Sequence, residues 1–136
     1  MEGNLNVYLS GYVAMASKVV SKESKKGFVF NLKATNGETI ATSEVYTSLD
    51  GCKNGIKSIQ KNAPIAAVED QTAKEVVKAK NPKFEIYMDK AKKFRFRLKA
   101  GNGQIIATGE AYEALKNCKA GVASVQKNAN AEVVKE

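Results

Sequence analysis

Apolar and polar residues alternate along several short stretches of this chain, which predicts a protein built largely from half-buried β-strands. The alternation is clear in FRFRLKA at residues 94–100 and recurs in FVFNLKA at 28–34. Shorter alternating stretches at 4–10 and 83–89 predict one more strand before each of these. Period-two alternation directs one set of side chains to a core and the other to solvent. We therefore expect a sheet that is covered on one face only.

A turn and a second apolar stretch follow each of these strands. Asn102-Gly103 separates the two stretches in the second half of the chain, and the same dipeptide stands at 36–37 in the first half. Asn-Gly between strands favours a two-residue type I′ hairpin, because both residues tolerate positive φ. With that turn, Arg97 lies opposite Thr108 on the solvent face.

The next segment has the periodicity of a helix. Its apolar residues are spaced by three and four positions, as on one side of a helix: Leu49, Cys52, Ile56 and Ile59. Thr47 or Ser48 can cap the start of this helix, whereas the second copy has no hydroxyl there. After each helix, IAAVED (65–70) and AEVVKE (131–136) predict a further short strand.

The whole pattern occurs twice. Residues 28–70 align with 94–136 without a gap, and about half of the aligned positions are identical. A single unit of this size buries little core, so we predict that the two units complete each other as one pseudo-dimeric domain. The predicted boundaries are a first repeat at 1–70 with a surface insertion at about 11–27, a linker at 71–82 that can include a short helix, and a second repeat at 83–136.

The residues of the repeat resemble those of the YegP-like family of small bacterial proteins. The resemblance rests on FRFRLKAGNGQIIATGEAY, on the preceding KFEIYMDKAKK and on the later NCKAGVASVQKNA. It covers nearly the whole chain outside residues 11–27 and 71–82, and Gly109 replaces the usual serine of the family pattern. The resemblance implies an α+β fold, in which a tandem β3-α-β unit forms a single, mainly antiparallel sheet with helices on one face. It also implies that the C-terminal strands are exchanged between the units, and it contributes no activity.

The composition of the chain is compatible with more than one class of function. The net charge of +8 comes mostly from lysine, and it is compatible with nucleic-acid binding or with a solvated surface. No apolar run approaches the roughly 20 residues of a membrane span, and the N-terminus does not resemble a secretory signal. We expect a cytoplasmic protein without membrane contact, monomeric as a chain.

Candidate chemistry is sparse. The chain has no histidine, so it lacks the commonest general base and metal ligand. Cys52 and Cys118 occupy equivalent positions in the repeats, and we expect buried thiols there rather than a disulfide or a reactive pair. We therefore predict no catalytic, metal or cofactor site, and no enzyme.

One surface is a candidate for binding. The solvent face of the sheet, bordered by tyrosines, is predicted to carry Lys33, Arg95, Arg97, Lys99, Tyr46 and Tyr112. Cations beside aromatic rings can bind nucleic acid, although the tyrosines can equally pack at the end of the sheet. The expected function is a small structural or protein-interaction module with an unidentified protein partner, and nucleic-acid binding by this face is the alternative.

Overall fold

The computed structural model describes residues 17–135, and in this part of the chain it has eight strands and two helices. The first repeat contains β1 (Lys18–Ser24), β2 (Gly27–Lys33), β3 (Thr39–Ser43), α1 (Leu49–Asn62) and β4 (Ala67–Asp70). The second repeat contains β5 (Lys83–Met88), β6 (Phe94–Lys99), β7 (Ile105–Gly109), α2 (Leu115–Asn128) and β8 (Glu132–Lys135). The predicted β3-α-β unit therefore occurs twice, and the fold is α+β.

All eight strands form one sheet in the order β4-β5-β6-β7-β3-β2-β1-β8. The first three strands of each repeat pair antiparallel, and β3 joins the repeats by pairing antiparallel with β7. In that central pair Thr42 lies opposite Thr108. These are equivalent residues of the two repeats, so a pseudo-twofold axis passes between them.

The last strand of each repeat belongs to the other repeat's half of the sheet. β4 pairs parallel with β5, and β8 pairs parallel with β1. This exchange was expected from the family resemblance, and it is confirmed. It leaves β4 and β8 as the two edge strands.

Both helices cover the same face of the sheet and enclose a shared core. α1 packs on β2 and β7, whereas α2 packs on β6, β3 and β5, so each helix contacts strands of both repeats. The largest fully buried side chains include Phe30, Leu32, Ile59, Phe84, Phe96, Leu98 and Val125. Because these residues form one continuous cluster, neither repeat has a complete core of its own.

The hairpins differ from the predicted type I′ turn. Gly103 has φ +85, but no positive φ occurs at the preceding asparagine. The N–H of Gly103 donates to the carbonyl of Ala100 (2.9 Å), and the ladder is irregular between Leu98 and Lys99. The Asn102 Oδ1 atom accepts the N–H of Gln104 at 2.9 Å, and this local bond stabilises a longer turn with one residue at positive φ. The predicted pairing of Arg97 with Thr108 is nevertheless confirmed.

The predicted surface insertion at 11–27 is wrong over residues 18–24, which form β1. Val19 lies opposite Leu32 of β2, so β1 occupies the place that β5 has in the second repeat. The adjacent Val19 and Val20 are 0% and 6% exposed, respectively. Since both faces of this strand are buried at that point, it lacks the alternation that marks the other strands. The strand predicted at 4–10 lies outside the described residues.

The linker at 71–82 contains no helix, contrary to the short helix considered there. It consists of turns, bends and irregular chain. None of the helices within residues 17–135 combines the length and the apolar character needed to cross a membrane. The boundaries of the two repeats stay a prediction.

Candidate functional site

The face of the sheet opposite the helices, here the open face, carries a cluster of charged side chains. This ionic cluster comprises Glu69 of β4, Lys83 and Glu85 of β5, and Arg97 and Lys99 of β6. Strand pairing places Glu85 between Glu69 and Arg97, and Lys83 opposite Lys99. Alternate residues of a strand point to the same face, so the five side chains meet across three adjacent strands.

The carboxylates of the ionic cluster are bound by several cations at once. Glu85 Oε1 lies 2.7 Å from Arg97 Nε and 3.3 Å from Lys99 Nζ. Lys83 Nζ lies 2.8 Å from Glu69 Oε1 and 3.3 Å from Glu85 Oε2. Each glutamate side chain is only 4% exposed. A carboxylate so far removed from water stays ionised only when partners of this kind surround it.

The pKa values of the cluster follow from these contacts. Hydrogen bonds from Gln71 and Lys83 lower the pKa of Glu69 to about 2. Burial works to raise the pKa of Glu85, but hydrogen bonds from its cations outweigh burial and the pKa is lowered. The hydrogen bond to Glu69 raises the pKa of Lys83. The lowered pKa values keep Glu69 and Glu85 ionised at neutral pH, and three basic side chains surround these two carboxylates.

The linker between the repeats is attached to this cluster through Glu69. Gln71 Nε2 donates to Glu69 Oε2 and the N–H of Ala79 donates to Glu69 Oε1, both at 2.8 Å. Glu69 thus binds Lys83 and the linker together. This double attachment indicates that part of the ionic cluster stabilises the connection between repeats.

Sequence reasoning did not single out either glutamate of the cluster. Glu85 stands between Phe84 and Ile86 in an alternating strand, where a polar residue is read as solvent-facing. The available signal was the pairing of β5 with β6, which places Glu85 opposite Arg97. An acid and a base at facing positions of neighbouring strands predict an ion pair.

The six residues predicted to form a binding surface do not share one face. Arg95, Arg97 and Lys99 lie on the open face of β6, and Lys33 lies in the corresponding part of β2. Arg97 and Lys99 bind Glu85, and the Arg97 guanidinium also stacks 4.5 Å from the centre of the Tyr87 ring. Two of the four cations are therefore already engaged with a buried carboxylate within the protein.

Arg95 and Lys33 have no carboxylate partner among the described residues. Arg95 Nη2 donates to the carbonyl of Gly109 at 2.9 Å, while its Nε is buried without a hydrogen-bond partner. Lys33 lies opposite Lys18 across the strand pair. These two side chains are the cations of the predicted surface that bind no carboxylate among the described residues.

Tyr46 and Tyr112 lie on the helix-covered side, so the prediction that they border the basic face is wrong. Tyr46 stacks on Phe30 with ring centres 6.4 Å apart, and Tyr112 stacks on Phe96 at 6.5 Å. Burial is the main cause that raises the pKa of both tyrosines. Each tyrosine is bridged to the start of a neighbouring strand rather than continuing its own strand. The chain takes four steps from Thr42 to Tyr46 but three from Asn31 to Phe28, so one extra residue reverses the alternation before the tyrosine.

A groove of about 370 Å³ lies between the edge strand β4 and helix α2. It is lined by Val68, Asp70, Lys119, Val122, Ala123 and Gln126. Val68 is 44% exposed, and Lys119 Nζ lies 3.8 Å from Asp70 Oδ2 at the rim. The groove therefore combines an apolar floor, a charged rim and a strand edge with which no other described strand pairs.

The two cysteines are free and buried, as expected. Burial raises the pKa of both thiols, that of Cys118 to about 11. A thiol with so high a pKa is a poor nucleophile at neutral pH. Among residues 17–135 there is no group of three or more potential metal ligands.

The fold and these surfaces define a class: two-repeat α+β proteins with one shared eight-stranded sheet and exchanged terminal strands. Residues 23–70 and 89–136 each match the family described as "Domain of unknown function (DUF1508)". The chain belongs to this family, and the resemblance to YegP-like proteins is confirmed. Its relatives have no specific function assigned by their names.

Relatives are similar along most of the chain. A UPF0339 protein of Shewanella oneidensis is 41% identical over 117 residues, which cover 86% of this chain and 93% of the relative. A UPF0339 protein of Treponema denticola is 68% identical over 47 residues, covering 35% of this chain and 81% of the relative. The solution NMR structure of yegP from Escherichia coli, a protein of unknown function, has a TM-score of 0.73 at 34% identity, with 91% of this chain and 96% of that chain covered.

Proposed function

We propose that this protein is a small, non-enzymatic protein-interaction module of the cytoplasm, and that it binds an extended segment of a partner protein beside β4. The groove between β4 and α2 is the observation that carries the proposal. An unpaired strand edge next to a groove suits an extended peptide, because the edge supplies main-chain hydrogen bonds and the groove selects side chains.

The backbone of β4 supports this binding mode. The N–H of Gln71 donates to the carbonyl of Ile86 in β5 at 2.8 Å. Backbone groups alternate between the two sides of a strand, so Glu69 also faces β5 and Val68 directs its N–H and C=O to the free edge. A peptide that pairs with Val68 adds a ninth strand to the sheet.

The lining of the groove indicates what the partner segment carries. Val68, Val122 and Ala123 offer an apolar surface, which suits an aliphatic side chain of the peptide. Lys116 and Lys127 are exposed on the same helix, so an acidic residue next to that aliphatic side chain is favoured by charge. The partner segment is therefore expected to be extended, partly apolar and acidic.

The non-enzymatic character rests on the chemistry of the candidate nucleophiles and bases. The chain has no histidine, and the buried thiols of Cys52 and Cys118 have raised pKa values. The carboxylates of the ionic cluster have lowered pKa values and are held by cations. Groups of this kind are poorly suited to proton transfer near neutral pH.

The experiment uses a difference between the repeats at the groove. Ala123 occupies the position that Lys57 has in the first repeat, so Ala123→Lys introduces a side chain that the same helix position already accommodates. We expect nuclease-treated affinity purification at native expression to recover a protein partner with the wild type and to lose it with Ala123→Lys. Lys57→Ala is the matched control, and it should retain the partner.

A second variant tests the strand edge. Val68→Pro removes one outward N–H, and proline is tolerated on edge strands. In β8, the other edge strand, Val133 lies opposite Val19 as Val68 lies opposite Phe84. Val133→Pro is therefore the control for the strand edge and should leave the partner bound. Recovery of the same partner by Ala123→Lys and Val68→Pro alike would contradict the proposal, provided that circular dichroism reports a folded protein.

Nucleic-acid binding by the open face is the alternative proposal. Arg95 and Lys33 support it, whereas the pairing of Arg97 and Lys99 with Glu85 weakens it, because nucleic acid would have to compete with a buried carboxylate. An Arg95→Ala, Arg97→Ala double variant should then lose affinity for nucleic acid. Unchanged binding by this double variant would remove the alternative.

A further inference from the structure

We propose that the solvent side of the two helices is a separate binding surface, which contacts the phosphate backbone of duplex nucleic acid without reading its sequence. This helix lysine surface comprises Lys53, Lys57 and Lys61 of α1 and Lys116, Lys119 and Lys127 of α2. It lies on the side of the sheet opposite the ionic cluster. The proposal can be tested apart from the peptide groove, since Lys53, Lys57 and Lys61 lie on α1, which does not line that groove.

The charge of the protein is concentrated on these helices. Each helix has 14 residues, and together they contain six lysines and one acidic residue, Asp50. Their net charge is therefore +5, more than half of the +8 of the whole chain. A cationic surface of this density attracts the condensed charge of nucleic acid and releases counterions when it binds.

Within residues 17–135, the lysines of the helices are exposed and mostly free of ion pairs, whereas Arg97 and Lys99 of the open face are bound to a carboxylate. All six are exposed. Among the described residues their one salt bridge is the contact of Lys119 with Asp70, at 3.8 Å. Arg97 and Lys99, in contrast, are bound to the buried Glu85. A polyanion on the helices would displace mobile counterions rather than break ion pairs of the protein.

The geometry of the surface suits a duplex. Lys53, Lys57 and Lys61 recur every four residues, so they follow one side of α1 with a rise of roughly 6 Å per step. Lys119 and Lys127 of α2 are the equivalents of Lys53 and Lys61. The pseudo-twofold axis between Thr42 and Thr108 relates the two helices. A duplex has local twofold axes of its own, and proteins with twofold symmetry bind it with the axes aligned.

The side chains that are missing from the helices narrow the class of partner. Neither helix contains an aromatic residue or an arginine, so base stacking and the guanidinium contact to guanine are not available there. None of the exposed large hydrophobic residues in the described part of the chain lies on a helix, whereas insertion into a bilayer surface needs such residues. The phosphate backbone of a duplex is the partner that these residues fit best.

The test is fluorescence anisotropy with short labelled DNA duplexes of two unrelated sequences, over a series of salt concentrations. We expect equal affinity for both sequences and a linear fall of log Kobs with log salt. The Lys53→Gln, Lys57→Gln, Lys61→Gln triple variant should bind at least about tenfold more weakly at low salt. The slope of log Kobs against log salt should become about 2 to 3 less steep, since each phosphate contact contributes about 0.9 to it.

The matched control removes the same charge elsewhere. Lys22, Lys25 and Lys26 are exposed in the β1–β2 hairpin, and their triple glutamine variant has the same net charge as the helix variant. It should bind within about threefold of the wild type. Equal losses in the two variants would overturn the proposed site, because net charge alone would then explain binding.

Three further outcomes would overturn the proposal. The first is no anisotropy change with the wild type at low salt, which would make the helix lysine surface a solvated surface only. The second is a marked preference for one duplex sequence or for single strands. The third is binding to vesicles that contain phosphatidylserine without binding to duplexes. Unfolding curves of each variant ensure that a lost signal reports binding and not loss of the fold.

Discussion

The two halves of the open face differ far more than the two halves of the core. In the second half, Glu85 lies opposite Glu69 of the exchanged strand, and both are buried carboxylates. At the corresponding place in the first half, Val20 lies opposite Val134 of the other exchanged strand. One half of the sheet thus buries two negative charges where the other half has two aliphatic side chains.

One of the three cations changed together with the carboxylates, whereas the positions of Lys83 and Lys99 keep lysines in the first half, as Lys18 and Lys33. Arg97, which lies opposite Glu85, corresponds to Asn31, which lies opposite Val20. Asn31 donates a hydrogen bond to Thr42 at 3.0 Å instead of pairing with an acid. The first half lacks both buried carboxylates and the guanidinium beside Glu85, because a single buried charge left unpaired would be costly. Lys18 and Lys33 remain there because both are only partly buried and can reach water.

The largest expected effect on stability concerns the hydrophobic core that the two halves share. Phe30→Ala and Phe96→Ala each remove a fully buried ring of the common core, and each should lower the free energy of unfolding by about 3 to 5 kcal/mol. Urea unfolding should show one transition in both variants. Two separate transitions, or a loss in one variant only, would mean that the repeats have separate cores.

The next largest effect concerns the ionic cluster, which only the second half of the sheet has. Glu85→Gln leaves Lys83, Arg97 and Lys99 without their common carboxylate, and should cost about 2 kcal/mol. Breaking a fully buried pair costs more, but these cations lie near the surface and can turn toward water. Glu110→Gln, on the exposed side of the sheet end, is the control and should change stability by less than about 0.5 kcal/mol. Equal losses of stability in Glu85→Gln and Glu110→Gln would show that the ionic cluster does not stabilise the fold.

Acid should destabilise the second half of the sheet through Glu69. Its pKa in the folded protein is about 2, against an ordinary value of 4.5. The stabilisation from a lowered pKa is present above the ordinary value and is lost as the pH falls toward the folded value. The Tm of the wild type should therefore fall between pH 4.5 and 2, and the Tm of the Glu69→Gln variant should fall less over the same range. The same decrease in both proteins would contradict the role of Glu69.

The smallest expected effects concern the helix starts. Ser48 Oγ accepts the N–H of Gly51 at 3.0 Å, whereas Ala114 begins α2 without a side-chain cap. Ser48→Ala should cost about 1 kcal/mol, and Ala114→Ser should stabilise by up to about 1 kcal/mol. Chemical denaturation measures both changes, and changes of equal sign would contradict the assigned caps.

Features encoded in neighbouring residues could be predicted from the sequence. The duplication, the Ser48 cap and the pairing of Arg97 with Thr108 depend on local patterns, and they are confirmed. The exchange of β4 and β8 is different, because four-residue strands carry little information about their partners. That feature was accessible through the family resemblance alone.

The remaining errors have physical causes in particular residues. β1 was missed because Val19 and Val20 are buried on opposite faces, so the strand does not alternate. Tyr46 was assigned to the wrong face because one extra residue between Thr42 and Tyr46 reverses the alternation while the backbone stays paired with β2. The groove beside β4 was not predictable, since it forms between an edge strand from one repeat and a helix from the other.

The parallel pairing of β8 with β1 bears on how the molecule responds to tension. Lys18 lies opposite Glu132 at one end of this pair, and Ser21 lies opposite Lys135 at the other. A pull between Lys18 and Lys135 runs along both strands in opposite directions. This shear geometry loads the inter-strand hydrogen bonds simultaneously, whereas a pull across the strands would break them one after another.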